Sequence, residues 1–297
     1  MDSLIRQASR LHSASGVARS VIEITSKDDF DLRELASCIE IDPALTSRVL
    51  AIVNSARYGF TNQVSTVPQA MTLLGRNVVR NIALTFSVVE AFTKGLSAEM
   101  YTDYWCRSLT TSLVASTLAA RSTGVEVNDA YTAGLLTDIG ILVFAQFEQE
   151  RYLPLYAQYP HTALVDAERE VFGFDHAELG SRLLDAWQLP PMVCLAVAAH
   201  HNENESSELP LARLVRAGNL MSAVIWEADG AAFEVAHSWF ESQLGFDNEG
   251  FISLAIEVNK AVVEEAKVYQ VAGIEPVDCE RLEREAWGII STNCRLP

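Results

Sequence analysis

The sequence lacks most of the features that would assign it to a familiar class of protein. Its five cysteines are scattered, with no Cys-x-x-Cys pair and no zinc-finger spacing, so we expect free thiols in a reducing compartment. No apolar run approaches the ~18–20 residues that cross a bilayer. Residues 1–7 lack the basic and then apolar layout of a signal peptide. These absences predict a cytoplasmic protein without a membrane segment.

Basic residues are scarce, and their distribution along the chain is uneven. The formal net charge is −17 over 297 residues. Residues 1–95 hold ten Lys and Arg against nine Asp and Glu, whereas residues 96–297 hold twelve against thirty. A strongly acidic body repels phosphate backbones, so we expect no nucleic-acid partner. Plain solubility is the simplest reason for the charge, and docking to basic protein partners is the alternative.

Motifs for phosphate binding and nucleophilic catalysis are also missing. The chain contains no G-x-x-x-x-G-K-[ST], no G-x-G-x-x-G and no G-x-S-x-G. The turn at Gly75 joins two predicted helices and looks superficially like a helix-turn-helix, in which Arg76 and Arg80 would meet phosphate. We favour a simple helix cap at Gly75, because no basic cluster flanks it.

What the sequence does contain is helical periodicity. Hydrophobic residues make up 49% of the chain, and in segments such as residues 31–41 they recur at i, i+3, i+4 and i+7. Asp42, Ser65 or Thr66, Asp129 and Asp175 are predicted helix caps. We find no convincing strand-like alternation, and around residues 230–250 we expect only one short helix, near residues 237–244. The sequence therefore predicts an all-α fold with three segments, residues 1–95, 96–230 and 231–297.

Six or more short motifs occur in an order that resembles the HDOD family (HD-related output domain). The likeness covers roughly residues 14–220 and is carried mainly by Ile41–Thr46, Asn54–Ala56, Leu73–Gly75, Gly134–Gly140, Asp175–Gly180 and His200–His201. It implies an N-terminal helical bundle, then a degenerate HD-like helical core, and here a C-terminal helical extension. It also implies a regulatory or output role in bacterial signal transduction.

The resemblance also places the metal-binding positions of catalytic HD proteins, which gather His and Asp side chains around divalent ions. The adjacent His and Asp of that pattern fall on an apolar helix, where Thr137 replaces the His and Asp138 is kept. Arg107 stands at the first His position and Asn219 at the final Asp position. The resulting degenerate pocket comprises Arg107, Thr137, Asp138, His176, His200, His201 and Asn219.

Loss of three of the six ligand positions favours a non-catalytic module with no cofactor and no catalytic residue. We expect Arg107 to point into the same cavity and pair with Asp138. One alternative keeps a metal on Asp138, His176 and His200 or His201, with residual phosphohydrolase or phosphodiesterase activity. Simple structural roles, such as a helix cap for His176 and a helix-dipole contact for His200 and His201, are also open.

A further alternative is that the same cavity binds a ligand and performs no catalysis. Arg107, His176, His200 and Asn219 would then bind a phosphate-bearing nucleotide as a signal. We place this below interaction with protein partners in a signalling pathway, and a homodimer stays open. The amphipathic helix predicted at Phe251–Val271 is either a docking or dimerising element or simply packs onto its own core.

Overall fold

The computed structural model describes residues 1–11, 20, 21, 24, 31–55, 58–93, 95–202, 208–227, 230–269, 271–275, 277 and 278. All regular secondary structure in these residues is helical, so the all-α prediction is confirmed. The helices with described bounds are α1 (Asp2–Leu11), α2 (Leu32–Glu40), α3 (Pro43–Val53), α4 (Val67–Leu74), α5 (Arg76–Thr93), α6 (Ala98–Ala120), α7 (Val127–Leu136), α8 (Ile139–Phe147), α9 (Gln149–Gln158), α10 (His161–Phe172), α11 (His176–Ala186), α12 (Pro191–Ala199), α13 (Pro210–Trp226), α14 (Gly230–Leu244) and α15 (Asn248–Val268).

Helix starts mostly lie where capping side chains predict them. The carboxylates of Asp42 and Asp175 accept backbone N–H groups at the starts of α3 and α11, and the Thr66 hydroxyl does so at α4. The predicted cap at Asp129 is wrong, because α7 begins at Val127 and places that residue in the first turn. Helix α14 fills Gly230–Leu244 and is therefore longer than the short helix we expected.

Helix α6 forms the centre of the molecule, and its closest neighbours are α7 and α13. Small residues allow this proximity. A Cβ atom on Gly134 of α7 would lie 2.5 Å from the Ser112 Cα atom, and one on Gly218 of α13 would lie 2.5 Å from the Thr111 carbonyl oxygen. Both neighbours are backbone atoms of α6, which cannot move aside cheaply. The two glycines therefore fix α7 and α13 against α6.

The first two predicted segments share one core. Helix α1 packs against α8 and α11, and α5 packs against α7 and α8. Buried hydrophobic side chains from residues 1–95 and 96–230 belong to a single continuous cluster. The predicted boundary near residue 95 stays a prediction. At Gly75 the backbone ends α4 with φ +85° and donates to the Met71 carbonyl, as a helix cap does, while the side chains of Arg76 and Arg80 lie outside the described part.

The C-terminal helix α15 packs onto α6, α13 and α14. Tyr269, which follows it, is buried with its ring 4.9 Å from Phe86 and 4.8 Å from Trp105. Its hydroxyl lies 2.9 Å from the hydroxyl of Tyr131 on α7. The apolar face predicted at Phe251–Val271 is thus used within its own core, and residues 279–297 of the predicted extension lie outside the described residues.

One segment bears on the expectation that no helix crosses a membrane, although polar residues such as Asp129 and Asp138 interrupt its apolar sequence. Val127–Phe147 has the length and mean hydropathy of a candidate span. However, 89% of that window is buried inside the fold, as in the core helix of a soluble protein.

Candidate metal centre

The sequence suggested that Asp138 lies within one continuous helix, but the structure shows a break at this residue. Helix α7 ends at Leu136, and Asp138 adopts φ −101° and ψ 18° before α8 begins. Its carboxylate makes no capping hydrogen bond to α8. Instead, both carboxylate oxygens are buried without a hydrogen-bond partner. The break turns the carboxylate of Asp138 towards the histidines described below. A buried carboxylate needs a compensating positive charge.

Gly140 brings the start of α8 against the start of α11. A Cβ atom at this position would collide with the carbonyl oxygen of His176 and lie 2.9 Å from its Cα atom. Only glycine allows this contact between backbones without a shift. Because His176 is the first residue of α11, the contact places its imidazole next to the carboxylate of Asp138.

His176 is held by Glu168, a fully buried residue of α10. The imidazole Nδ1 atom lies 2.7 Å from Glu168 Oε2, and the His176 backbone N–H donates to the same oxygen. Tyr152 donates its hydroxyl to the other carboxylate oxygen at 2.6 Å. Burial would lower the pKa of His176, but the carboxylates of Glu168, Asp138 and Asp175 together outweigh burial and raise that pKa to about 9. Nε2 is left facing the Asp138 Oδ1 atom at 3.7 Å.

His200 and His201 complete the cluster from the end of α12. His200 donates through Nδ1 to the Val197 carbonyl at 2.6 Å, which turns its Nε2 atom towards Asp138 Oδ1 at 3.5 Å. That Nε2 atom is buried and has no hydrogen-bond partner. His201 places its Nε2 atom 3.0 Å from His176 Nε2. Burial and the neighbouring imidazoles hold the pKa of His201 well below its usual range.

These four side chains have the geometry of a metal site. One ligand atom from each of Asp138, His176, His200 and His201 lies within 4.8 Å of all the others. Ligands about 2.0–2.1 Å from a tetrahedral ion lie roughly 3.3 Å from one another, close to the 3.0, 3.5 and 3.7 Å found here. Imidazole and carboxylate donors suit divalent first-row transition metals, and each buried imidazole has its other nitrogen anchored. The donor set therefore fits the kind of ion that HD proteins bind.

Two of the other predicted pocket residues take no part in this cluster. Thr137 follows the end of α7, is fully buried and donates its hydroxyl back to the Ala133 carbonyl of that helix at 2.8 Å. Asn219 is half-buried on α13, and no described hydrogen bond joins it to the four donors.

The predicted pairing of Arg107 with Asp138 is wrong. The Arg107 guanidinium lies 3.2 Å from Asp103 and 3.1 Å from Glu227. Asp103 stands one helical turn earlier on α6, and Glu227 follows the end of α13. Two nearby carboxylates therefore hold Arg107, and Asp138 is left to the histidines.

Several polar residues around these sites were not predicted. Glu168 orients His176; it begins a segment, residues 168–173, that also resembles the HDOD family, but we predicted no site role for it. Asp103 accepts hydrogen bonds from Tyr156, and His161 lies 3.4 Å away. Burial would raise the pKa of Asp103, but His161 and the charge of Arg107 outweigh it and lower that pKa. Asp103, Arg107, Tyr156, His161 and Glu227 form a second, partly buried network, which we call the Arg107 network.

Comparison with known proteins identifies the family. A family model described as HDOD domain matches residues 11–203. The chain belongs to the HDOD family. One curated relative, an uncharacterized protein of Treponema pallidum (strain Nichols), is 28% identical over 187 residues. That match covers 59% of this chain and 34% of the relative, so the chain spans about a third of the length of that protein.

Solved structures share the fold. An HDOD domain protein of unknown function from Geobacter sulfurreducens superposes with a TM-score of 0.61 at 20% identity, covering 90% of this chain and 99% of its own. A Marinobacter aquaeolei VT8 chain, described as a candidate signal transduction protein, gives 0.62 at 22% identity over 87% and 59%. A candidate phosphohydrolase from Shewanella amazonensis SB2B gives 0.57 at 18% identity over 92% and 93%. At these identities the likeness establishes the all-helical HDOD fold.

Proposed function

We propose that this HDOD protein is a non-catalytic regulatory module of bacterial signal transduction that acts through protein–protein interaction and holds one divalent metal ion in its HD-like core. The observation that carries the proposal is the set of four converging donors, Asp138, His176, His200 and His201. Family membership and the signalling description of the Marinobacter structure support the regulatory role.

Closure of the site argues for a structural ion. Structural zinc sites use four protein ligands, whereas catalytic sites keep one position for water or substrate. Here three donors are at most 1% exposed and only His201 reaches the half-buried class. Four protein ligands would fill a tetrahedral shell and leave no place for a reacting phosphate. The ion would supply positive charge to a buried carboxylate and join α8, α11 and α12.

The surroundings of the cluster also disfavour hydrolysis and nucleotide binding. Arg107 is already engaged by two carboxylates, so it is a poor partner for a phosphate group. The Thr137 hydroxyl donates to a backbone carbonyl. Neither residue offers the metal ligand that a catalytic HD site has at the matching position, and the two-metal chemistry of phosphodiester hydrolysis loses its second ion.

The test is metal analysis by mass spectrometry on full-length protein purified without chelator or immobilised metal. We expect about one zinc, iron or manganese ion per chain, and loss of that ion in Asp138→Asn. Asp166→Asn is the matched control, because the Asp166 side chain is 91% exposed. A folded wild-type chain that stays metal-free after incubation with Zn²⁺ would refute the metal centre.

The non-catalytic part is tested on the same metal-bound samples with bis(p-nitrophenyl) phosphate, a general phosphodiester substrate. We expect no turnover above that of the Asp138→Asn variant. Turnover that requires Asp138 and scales with metal content would replace our proposal with the phosphohydrolase alternative. The interaction role is tested separately by crosslinking in cells. We expect the wild type and the Asp166→Asn variant to capture the same protein partner.

A further inference from the structure

A cleft at the C-terminal end of α6 offers a second site. It lies between the C-terminal end of α6, the start of α13 and the residues that follow α14, and its volume is about 190 Å³. Apolar walls come from Leu118, Val125, Leu214 and Phe246, and two basic residues, Arg121 and Arg213, also line the cleft. None of these residues belongs to the metal centre or to the Arg107 network.

Arg213 is the informative member of this cleft. Its Nε atom is buried and has no hydrogen-bond partner. Among the described residues its guanidinium also has no ion pair, in contrast to Arg107, which has two carboxylates. An unpaired buried donor is costly, and the chain carries a net charge of −17. A cation left unpaired in such an acidic protein indicates a partner that the chain does not itself supply.

Arg121 can provide a second contact. It pairs with Glu257 at 3.4 Å, but both side chains are more than half exposed, 54% and 57%. Exposed ion pairs of this kind contribute little to stability, so Arg121 can exchange Glu257 for a ligand. The guanidinium forks of the two arginines match the planar geometry of a carboxylate.

The walls and the size of the cleft limit the rest of the ligand. Leu214 and Leu118 are buried side chains, and Phe246 adds an aromatic face. A cavity of roughly 150 Å³ holds one benzene ring, so 190 Å³ admits a ring or a branched aliphatic group with a small polar head. A whole nucleotide exceeds this volume and would extend out of the cleft.

We propose that this cleft binds a small organic carboxylate, with its anionic head on Arg213 and Arg121 and its apolar body against Leu118, Leu214 and Phe246. The proposal does not depend on the metal centre. The ligand is a monoanion, because Glu257 already balances the charge of Arg121 through an exposed pair and only the charge of Arg213 is left unpaired.

The experiment is calorimetric titration of full-length protein with benzoate, compared with benzyl alcohol and phenyl phosphate. We expect saturable binding of benzoate, at least tenfold weaker binding of benzyl alcohol, and a loss of about tenfold or more in Arg213→Gln, because a charge-assisted hydrogen bond is removed. Arg182→Gln, an exposed position outside the cleft, should bind as the wild type does.

Two further arms make the result decisive. Arg121→Gln, which changes an exposed residue and so preserves the fold, should also weaken benzoate binding. Because carboxylates ligate metal ions too, the titrations are repeated in Asp138→Asn, where binding should persist. Equal affinity for benzyl alcohol, preference for phenyl phosphate, no saturable benzoate binding, or loss of binding in Asp138→Asn would each overturn the assignment.

Discussion

Among the four donors of the metal centre, His201 is the one that reaches solvent. Asp138, His176 and His200 are buried, whereas His201 is half-buried and places its Nε2 atom 3.0 Å from His176 Nε2. If four protein ligands close the shell, removal of His201 opens one position to water. We expect His201→Ala to bind Co²⁺ at least tenfold more weakly and to change the visible absorption spectrum of the bound Co²⁺, because water replaces an imidazole ligand.

The control for this prediction is His237→Ala, which removes an imidazole from α14, outside the cluster. Its Co²⁺ spectrum and affinity should match those of the wild type. Identical spectra for the wild type and His201→Ala would mean that His201 is not a ligand, and the three remaining donors would then leave a position for substrate.

His161 gives the Arg107 network a pH dependence. Burial and the charge of Arg107 lower the pKa of His161. Asp103 and, more weakly, Asp138 act to raise that pKa, but they do not outweigh the first two effects. Tyr156 contacts the ring at 3.2 Å. Because the folded pKa lies below the unfolded value of about 6.5, the unfolded chain takes up the proton first as the pH falls.

This residue therefore makes the protein less stable below about pH 6.5 and leaves stability unaffected above it. We expect the free energy of unfolding, measured in urea between pH 7.5 and 5, to fall less steeply in His161→Gln than in the wild type. Parallel curves for the two proteins would contradict the assignment.

The residues of the site were only partly predictable from the sequence. Asp138, His176, His200 and His201 follow from the order of motifs, and the structure brings all four together. The partner of Arg107 did not follow, although Asp103 stands four residues earlier, a spacing that pairs side chains on one helix face. Glu227 lies 120 positions away, and such a contact depends on how α6 and α13 pack.

At the scale of helices, the contact of α8 with α11 positions the site. Gly140→Ala would push a Cβ atom into the backbone of His176, and backbone yields less easily than a flexible side chain. We expect this variant to lose about 1–3 kcal/mol of unfolding free energy and to bind Zn²⁺ more weakly, because His176 must move. Urea denaturation and a competition titration with a zinc-binding dye would measure the two effects.

Gly230→Ala is the matched control, since a Cβ atom there meets nothing within 4 Å. Its stability should stay within about 0.5 kcal/mol of the wild type. A Gly140→Ala protein as stable as Gly230→Ala, with unchanged zinc affinity, would show that α8 and α11 can separate without disturbing the donors.

Helix starts were easier to predict than the break within the Asp138 segment. Thr66 and Asp175 cap their helices as expected, because an N-cap side chain is a local feature that the sequence displays. The apolar pattern instead runs without interruption through Thr137 and Asp138. The break lies next to the contact of Gly140 with the backbone of His176 in α11, and no local pattern displays a contact between such distant segments.

At the scale of the whole molecule, the family match ends before the core does. The HDOD model covers residues 11–203, yet α6 packs most closely with α13 and also contacts α15, both beyond that limit. Helix α13 further supplies Trp226, whose indole donates to Thr110 of α6 at 2.8 Å. The C-terminal helices therefore complete the hydrophobic core and should unfold together with the rest of the chain.

Tyr269 tests this cooperativity. Its ring contacts Phe86 of α5 and Trp105 of α6, and it is 1% exposed. Tyr269→Ala should cost about 3–5 kcal/mol, as other aromatic truncations in cores do, while Tyr269→Phe should cost only about 1 kcal/mol for its hydroxyl contact. Hydrogen exchange measured by mass spectrometry should show lower protection in both α6 and α11, since one cooperative unit loses stability everywhere.

Val235→Ala is the control for Tyr269→Ala, because Val235 is 58% exposed on α14 and its truncation should leave protection unchanged. If α15 were an independent extension, the loss of protection would stay within it. Tyr269→Ala would then lower protection only in residues 248–269, and α11 would exchange as in the wild type. The described ring contacts of Tyr269 reach α5 and α6, so lower protection in α11 would indicate that the effect spreads through the shared core.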